Sequence, residues 1–196
     1  MNKKSKKTLI ISAISVLVLV ALDQLTKYLA VVFLKNKPAI PIIKDVFELQ
    51  YLENQSAAFG MDPVSLLHKI FSFDVFEKNP QLFLDVKMGF FIVATVAILF
   101  LFILLYLRIP TEKRFQYIDW ILIFFSAGAI GNFIDRVSLN YVVDFLYFKL
   151  INFPIFNVAD IYVTCSAFAL IALGLFYYKD EDFDLIFPPK NKEEKA

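Results

Sequence analysis

The chain has 196 residues, 59% of them hydrophobic, a mean hydropathy of +0.63 and a formal net charge of only +1. A soluble domain of this length is nearer half apolar, so the excess indicates an integral membrane protein, and the near-zero charge argues against a nucleic-acid partner. One cysteine, Cys165, and one histidine, His68, exclude an internal disulfide, a CxxC metal site and the HExxH zinc-protease spacing, so neither a metal nor a cofactor is expected.

Four apolar stretches are long enough to span hydrocarbon, which takes about 20 helical residues. The first runs from residue 8 to about 34, interrupted by Asp23 and Lys27. Its basic start, MNKKSKK, resembles a signal peptide, but the apolar run continues through Asp23-Gln24-Leu25-Thr26-Lys27 and no small-x-small site follows closely. It therefore reads as an uncleaved first helix. The segment 35–87 is too long for a turn. Within it, residues 42–52 (IIKDVFELQYL) alternate β-branched and aromatic residues and predict one or two short strands. Residues 62–87, which place His68 in a polar loop, mix phenylalanines with charges and predict either an amphipathic interfacial piece or a disordered loop.

The second span, 88–107, carries no charge except at its flanks, and the third covers about 118–134. A polar stretch follows, with Asp135, Arg136, Asp144 and Asp160 in an otherwise apolar region, and the fourth span covers about 160–178. The spans and their connections form a single domain over 1–179. The charged tail 180–196, with Pro188-Pro189, is expected to be flexible. Basic residues cluster before the first span (Lys3, Lys4, Lys6, Lys7), between the second and third (Arg108, Lys113, Arg114) and after the fourth (Lys179). This bias predicts two cytoplasmic termini, with the first and third connections outside.

Helical rise gives each polar residue a depth. From the cytoplasmic side Asp23 is roughly 22 Å deep and Lys27 roughly 28 Å, with Asn132, Asp135 and Arg136 at roughly 21 to 27 Å and Asp160 at roughly 27 Å. Asn157 lies about a turn further. All sit near the outer surface of a hydrocarbon core of about 30 Å. Asp23 and Lys27 share a helical face, as do Asn132, Asp135 and Arg136, so these sets read equally as structural ion pairs or as site residues. Asn157 reads as a helix N-cap. Asp144 and Asp160 differ, because neither has a local cation, and ionisable groups at this depth normally serve a function.

Two nearby carboxylates without a metal can share one proton, one acting as general base on water while the other donates to a carbonyl. That is aspartic-protease chemistry. A serine/lysine mechanism would need Ser126 activated by a lysine, and Lys27 is more simply paired with Asp23. A proton-coupled transporter and a non-enzymatic membrane scaffold are the readings from other classes.

Five strings in order carry a resemblance: Asp23-Gln24-Leu25-Thr26-Lys27; Asn54-Gln55-Ser56-Ala57-Ala58-Phe59-Gly60; Gly131-Asn132-Phe133-Ile134-Asp135-Arg136; Val142-Val143-Asp144-Phe145; and Phe156-Asn157-Val158-Ala159-Asp160. With four spans, they make the chain resemble the bacterial lipoprotein signal peptidases (signal peptidase II). The resemblance implies a four-helix membrane bundle with a small extracytoplasmic β-cradle and an outer helix that can cover the active site. It implies an aspartic endopeptidase of the bacterial inner membrane, cleaving diacylglyceryl-modified prolipoproteins just before the modified cysteine. It makes Asp144 and Asp160 the catalytic pair, with Asp23, Lys27, Asn54, Asn132, Asp135, Arg136, Asn157 and Ala159 lining or supporting the site. Membrane lipids and the cyclic peptide globomycin are the other implied partners, and a monomer is expected. The chain departs from the family pattern at Ser56 and Ala127, where glycine is usual, and in its long stretch 61–87. Serine in place of glycine at Ser56 is expected to alter the turn beside Asn54.

Overall fold

The computed structural model describes residues 4–56 and 63–187. Helix α1 (Lys6–Leu34) starts at Ser5, whose hydroxyl accepts a bond from the Thr8 amide at 3.1 Å and so satisfies one of the free donors of the first turn. Two strands follow, β1 (Ile40–Ile43) and β2 (Phe47–Asn54), joined by a tight turn with Asp45 at a φ of 58°. The alternation read in residues 42–52 is thus a hairpin. Beyond it come two short helices, α2 (Pro63–Phe71) and α3 (Asp74–Lys78), then α4 (Pro80–Arg108) and α5 (Gln116–Leu139). Strand β3 (Val142–Tyr147) leads to α6 (Val158–Phe176) and a last short helix, α7 (Asp180–Ile186).

Helices α1, α4, α5 and α6, the third taken with the 3-10 turn that leads into it, are each long and apolar enough to cross a membrane. Their outward faces carry the large exposed apolar side chains, such as Leu17, Val93, Phe168 and Leu175, which is the polarity expected of a lipid-facing surface. The three strands form one antiparallel sheet in the order β1-β2-β3. It packs on the last turns of α1, where Ala30 and Leu34 are buried against Val143 and Phe145. At the opposite end of the bundle Ile109, Phe115, Ile118, Leu122, Tyr178 and Ile186 form a second core.

The second span begins earlier than hydropathy alone predicts, at Pro80 and not at residue 88. Asn79 caps it, its side chain accepting from the Leu82 amide at 3.1 Å, and proline occupies the first turn. That pairing of cap and proline outweighs the charges of Asp85 and Lys87, which interrupted the apolar run. The described part of the stretch 62–87 consists of α2, α3 and the start of α4, with breaks at Ser72-Phe73 and Asn79. His68 accordingly lies in α2, not in a polar loop, with the rings of Phe76 and Phe83 centred 5.6 and 5.2 Å from its own. The expectation of a flexible tail is corrected for residues 180–187. There α7 is docked by an Arg114–Asp182 ion pair at 2.5 Å and by Ile186 in the second core. Pro188-Pro189 lies outside the described residues, as do Lys3 and the Ala57-Ala58-Phe59-Gly60 part of the second matching string.

Close packing of α5 on α6 rests on Gly128, where an added Cβ would meet the Ala159 carbonyl oxygen at 2.6 Å and a Val163 methyl at 2.8 Å. Gly128→Leu is therefore expected to cost about 1–3 kcal/mol through forced separation of the two helices. A lowered thermal midpoint in detergent is the readout. Gly174→Leu, which meets open space, should leave that midpoint essentially unchanged.

Candidate active site

Asp144 and Asp160 arrive from different elements. Asp144 stands in the middle of β3, fully buried, and Asp160 lies in the first turn of α6. What joins them is Asn157. Its side-chain oxygen accepts from the Asp160 amide at 3.0 Å and its own amide donates to Asp160 Oδ2 at 3.1 Å, which closes a reciprocal cap on α6. The expected N-cap is real, and the same residue does more. Its Nδ2 donates to Asp144 Oδ1 at 2.7 Å, so one asparagine touches both carboxylates.

The remaining carboxylate oxygens have donors too. Asn54, the last residue of β2, donates to Asp144 Oδ2 at 2.8 Å. Asn132, on α5, donates to Asp160 Oδ1 at 2.8 Å. Asn132 points its amide nitrogen that way because its oxygen is occupied, accepting from Lys27 Nζ at 2.9 Å and from Asn157 at 3.1 Å. Asn54 is fixed in the same manner, its oxygen accepting from the Ser56 amide at 2.8 Å. Ser56 is not among the residues at positive φ, so serine fits this turn without the strain that its replacement of glycine suggested.

Beneath this layer sits a buried ionic one. Lys27 lies 2.9 Å from Asp23 Oδ2 and 3.1 Å from Asp135 Oδ2, which with Asn132 uses all three of its N–H donors. Each of the two acids holds the backbone of an element that carries a candidate carboxylate. Asp23 Oδ1 accepts from the Ala159 amide at 2.9 Å and so satisfies a free donor at the start of α6. Asp135 Oδ2 accepts from the Val143 amide at 3.0 Å, one residue before Asp144. Ala159 is fully buried, and its small side chain, with Gly131 behind it, lets the Asp23 carboxylate approach α6.

Asp135 and Arg136 do not pair with each other. Adjacent helical residues point about 100° apart, and here they separate. Asp135 faces Lys27 and β3, whereas the Arg136 guanidinium lies 4.7 Å from the centre of the Phe91 ring and donates to the Ser56 carbonyl at 3.5 Å. Two contributors carried no assignment in sequence. Gln24 donates to Asp135 Oδ1 at 2.9 Å, to the Gly131 carbonyl at 3.1 Å and to Asp23 Oδ2 at 3.2 Å. Its only signal was its place inside the Asp23–Lys27 string. Phe91 had none, as one of 23 phenylalanines.

The electrostatics set the chemistry. Four carboxyl groups (Asp23, Asp135, Asp144, Asp160) meet two cations (Lys27, Arg136), and Lys27 is committed to the lower pair. Burial pushes the Asp144 carboxyl up to about 7, and the negative charge of Asp160 pushes it the same way against the amide bonds from Asn54 and Asn157. Two acids placed side by side in such a setting do not both ionise readily and can share one proton. Such an arrangement can offer a general base and a general acid together.

The chain matches known proteins over most of its length. Residues 15–176 match the family model described as signal peptidase (SPase) II. A lipoprotein signal peptidase of Caldanaerobacter subterraneus subsp. tengcongensis is 40% identical over 158 residues, covering 80% of this chain and 90% of that protein. One of Brevibacillus brevis is 37% identical over 154 residues, covering 79% of this chain and 87% of that protein. Among solved structures, a bacterial membrane enzyme determined by the in meso method at 2.3 Å superimposes with a TM-score of 0.67 at 26% identity, covering 100% of this chain and 98% of that one.

Removing the ammonium between Asp23 and Asp135 leaves two buried acids without their cation. Lys27→Met is expected to destabilise the protein by about 3–5 kcal/mol. Asp23→Asn combined with Lys27→Met should recover part of that loss, because the uncompensated charge is reduced. Chemical unfolding in detergent micelles measures both. Equal stability of Lys27→Met and the parent would contradict the assigned role.

Proposed function

The chain belongs to the signal peptidase II family, and on that premise we propose that Asp144 and Asp160 are its catalytic pair, cutting a diacylglyceryl-modified prolipoprotein just before the modified cysteine. The enzyme is an aspartic endopeptidase that removes signal peptides from prolipoproteins in a bacterial membrane. The observation that carries the residue assignment is the double contact of Asn157, which binds Asp144 and Asp160 and thereby aligns the two carboxyls.

In the reaction, the charged carboxylate of the pair takes a proton from water as the water oxygen attacks the scissile carbonyl carbon. The protonated partner gives its proton to the carbonyl oxygen, so the tetrahedral intermediate is a neutral diol. The first carboxyl then passes its proton to the leaving nitrogen, the C–N bond breaks, and the second recovers its proton from the diol as the carbonyl re-forms. No acyl-enzyme forms. Asn54, Asn132 and Asn157 keep the carboxylates oriented through the cycle. The Arg136 guanidinium, held at the Ser56 carbonyl two residues beyond Asn54, offsets part of the one negative charge that the pair retains.

Position supports the same reading. Basic residues gather at the end of the bundle opposite the sheet, among them Lys4, Arg108, Lys113, Arg114 and Lys179. By the bias of basic residues towards the cytoplasm, both termini lie inside, and the paired acids open at the outer surface of the inner membrane. A peptide bond beside a lipid-modified cysteine is presented at that level. The same resemblance makes globomycin an inhibitor of this site.

Asp144→Asn and Asp160→Asn are each expected to abolish signal-peptide release from a lipid-modified substrate while the protein still inserts and folds; wild-type cleavage by either variant overturns the assignment. The pH profile supplies a second check. Below neutrality the pair keeps its shared proton, and further acid protonates the base, so the rate falls. Above about 7 Asp144 loses the proton that the acid step needs, so the rate falls again. A rate that stays flat from pH 5 to 9 contradicts a shared-proton pair.

A further inference from the structure

The far end of the three-stranded sheet carries an apolar tip that neither the paired acids nor the helix bundle uses. It is built from two turns, the one joining β1 to β2 and a 3-10 turn (Lys149–Ile151) that follows β3. They are tied together. Val46 donates to the Ile43 carbonyl at 3.0 Å and Leu150 donates to the Val46 carbonyl at 3.3 Å. Lys149 meets Glu48 at 3.2 Å, and the rings of Phe47 and Phe148 lie 4.9 Å apart. Each turn contains a residue in the left-handed region, Asp45 at a φ of 58° and Asn152 at 49°, and the Tyr147 hydroxyl donates to Asn152 Oδ1 at 2.6 Å. The tip is one fixed unit.

This unit presents its aliphatic side chains outward. Ile42 and Ile43 are each 57% exposed, and Leu150 and Ile151 are each 68% exposed. Isolated exposed aliphatic residues are ordinary, but four large ones gathered at one end of a small sheet, two closing β1 and two on the linked 3-10 turn, are more apolar surface than a face in water normally carries. The level of the sheet says what covers it. Its β3 face is buried on Ala30 and Leu34, in the last turns of a membrane-spanning helix. Just beyond that helix, Lys37 folds back so that its Nζ donates to the Val32 carbonyl at 3.3 Å and lies 6.0 Å from the Phe33 ring centre. A lysine bent along an apolar stem in this way marks the boundary between hydrocarbon and water. Strand β1 begins only three residues later, within about 11 Å of chain.

We propose that the sheet tip is a monotopic membrane contact. Ile42, Ile43, Leu150 and Ile151 dip into the headgroup and upper acyl region of the leaflet on the sheet side, and Lys44 and Lys149 stand at the level of the lipid phosphates. This second contact fixes the depth of β3, and so of Asp144, relative to the lipid surface. The inference rests on the orientation proposed above only for the name of the leaflet, and insertion is tested without reference to cleavage.

The experiment uses the full chain in nanodiscs of phosphatidylethanolamine and phosphatidylglycerol. In a Cys165→Ser background, single cysteines placed by Ile43→Cys, Leu150→Cys or Gln50→Cys carry an NBD fluorophore. Gln50 is the control, exposed on β2 away from the tip. Labels at the two tip positions are expected to emit blue-shifted, to lose quenching by aqueous iodide and to be quenched by lipids spin-labelled high on the acyl chain. The Gln50→Cys label should show the reverse. Iodide-quenched, red-emitting labels at both tip positions overturn the proposal. Tip labels shielded from iodide but untouched by the spin-labelled lipids also overturn it, and assign the patch to a protein or a second copy of the chain. Signal-peptide release by the labelled variants, measured in parallel, keeps failure of tip insertion separate from failure of the functional reading.

Discussion

The geometry of the site hangs on one buried ammonium. Lys27 binds Asp23, Asp135 and Asn132 with its three donors, and each partner holds a different part of the structure. Through Asp23 it fixes the start of α6, through Asp135 it fixes β3, and through Asn132 it turns an amide towards Asp160. A charge at this depth is costly unless every hydrogen of the group is satisfied, and that requirement admits one arrangement of three elements. The interaction contributes specificity of geometry more than net stability.

The two layers divide the electrostatic work. In the lower layer one cation is shared by two carboxylates, each of which also accepts backbone and glutamine N–H bonds. In the upper layer the carboxylates are held by neutral asparagine amides, with Arg136 nearby but directed to Phe91 and the Ser56 carbonyl. Among the described residues no cation bonds directly to Asp144 or Asp160, and burial with mutual repulsion disfavours ionising both. That contrast between layers is what sets the proposed catalytic pair apart from the structural acids beneath it.

The membrane constrains the rest. Helices α1, α4 and α6 leave most of their apolar surface to lipid and α5 is the most buried of the four, its packing on its neighbours relying on close approach at Gly128 and Gly131. The sheet extends the same surface past the helix ends, and its tip repeats their exposed aliphatic character outside the spans. At the other end, α7 lies beyond the stretch that matches the family and closes the bundle through Asp182 and Ile186.

Much of this was legible in the chain itself, and the reason is local. Span length, the bias of basic residues, the Asp23–Lys27 spacing and the Asn157 cap depend on neighbours in sequence. The five ordered strings then carried the family and both candidate carboxylates. Other features followed rules that act across the fold. Charges at Asp85 and Lys87 hid the first turns of α4, and the acidic composition of the tail hid a helix docked by a distant arginine. Asp135 and Arg136 read as neighbours on one helix, yet they serve different partners, Lys27 and β3 for one and Phe91 and the Ser56 carbonyl for the other. The residue types, the membrane class and the chemistry were determined by sequence alone. Which acid binds which donor was decided only when α1, α5, β3 and α6 met, because a buried hydrogen bond depends on where two distant backbones place their atoms.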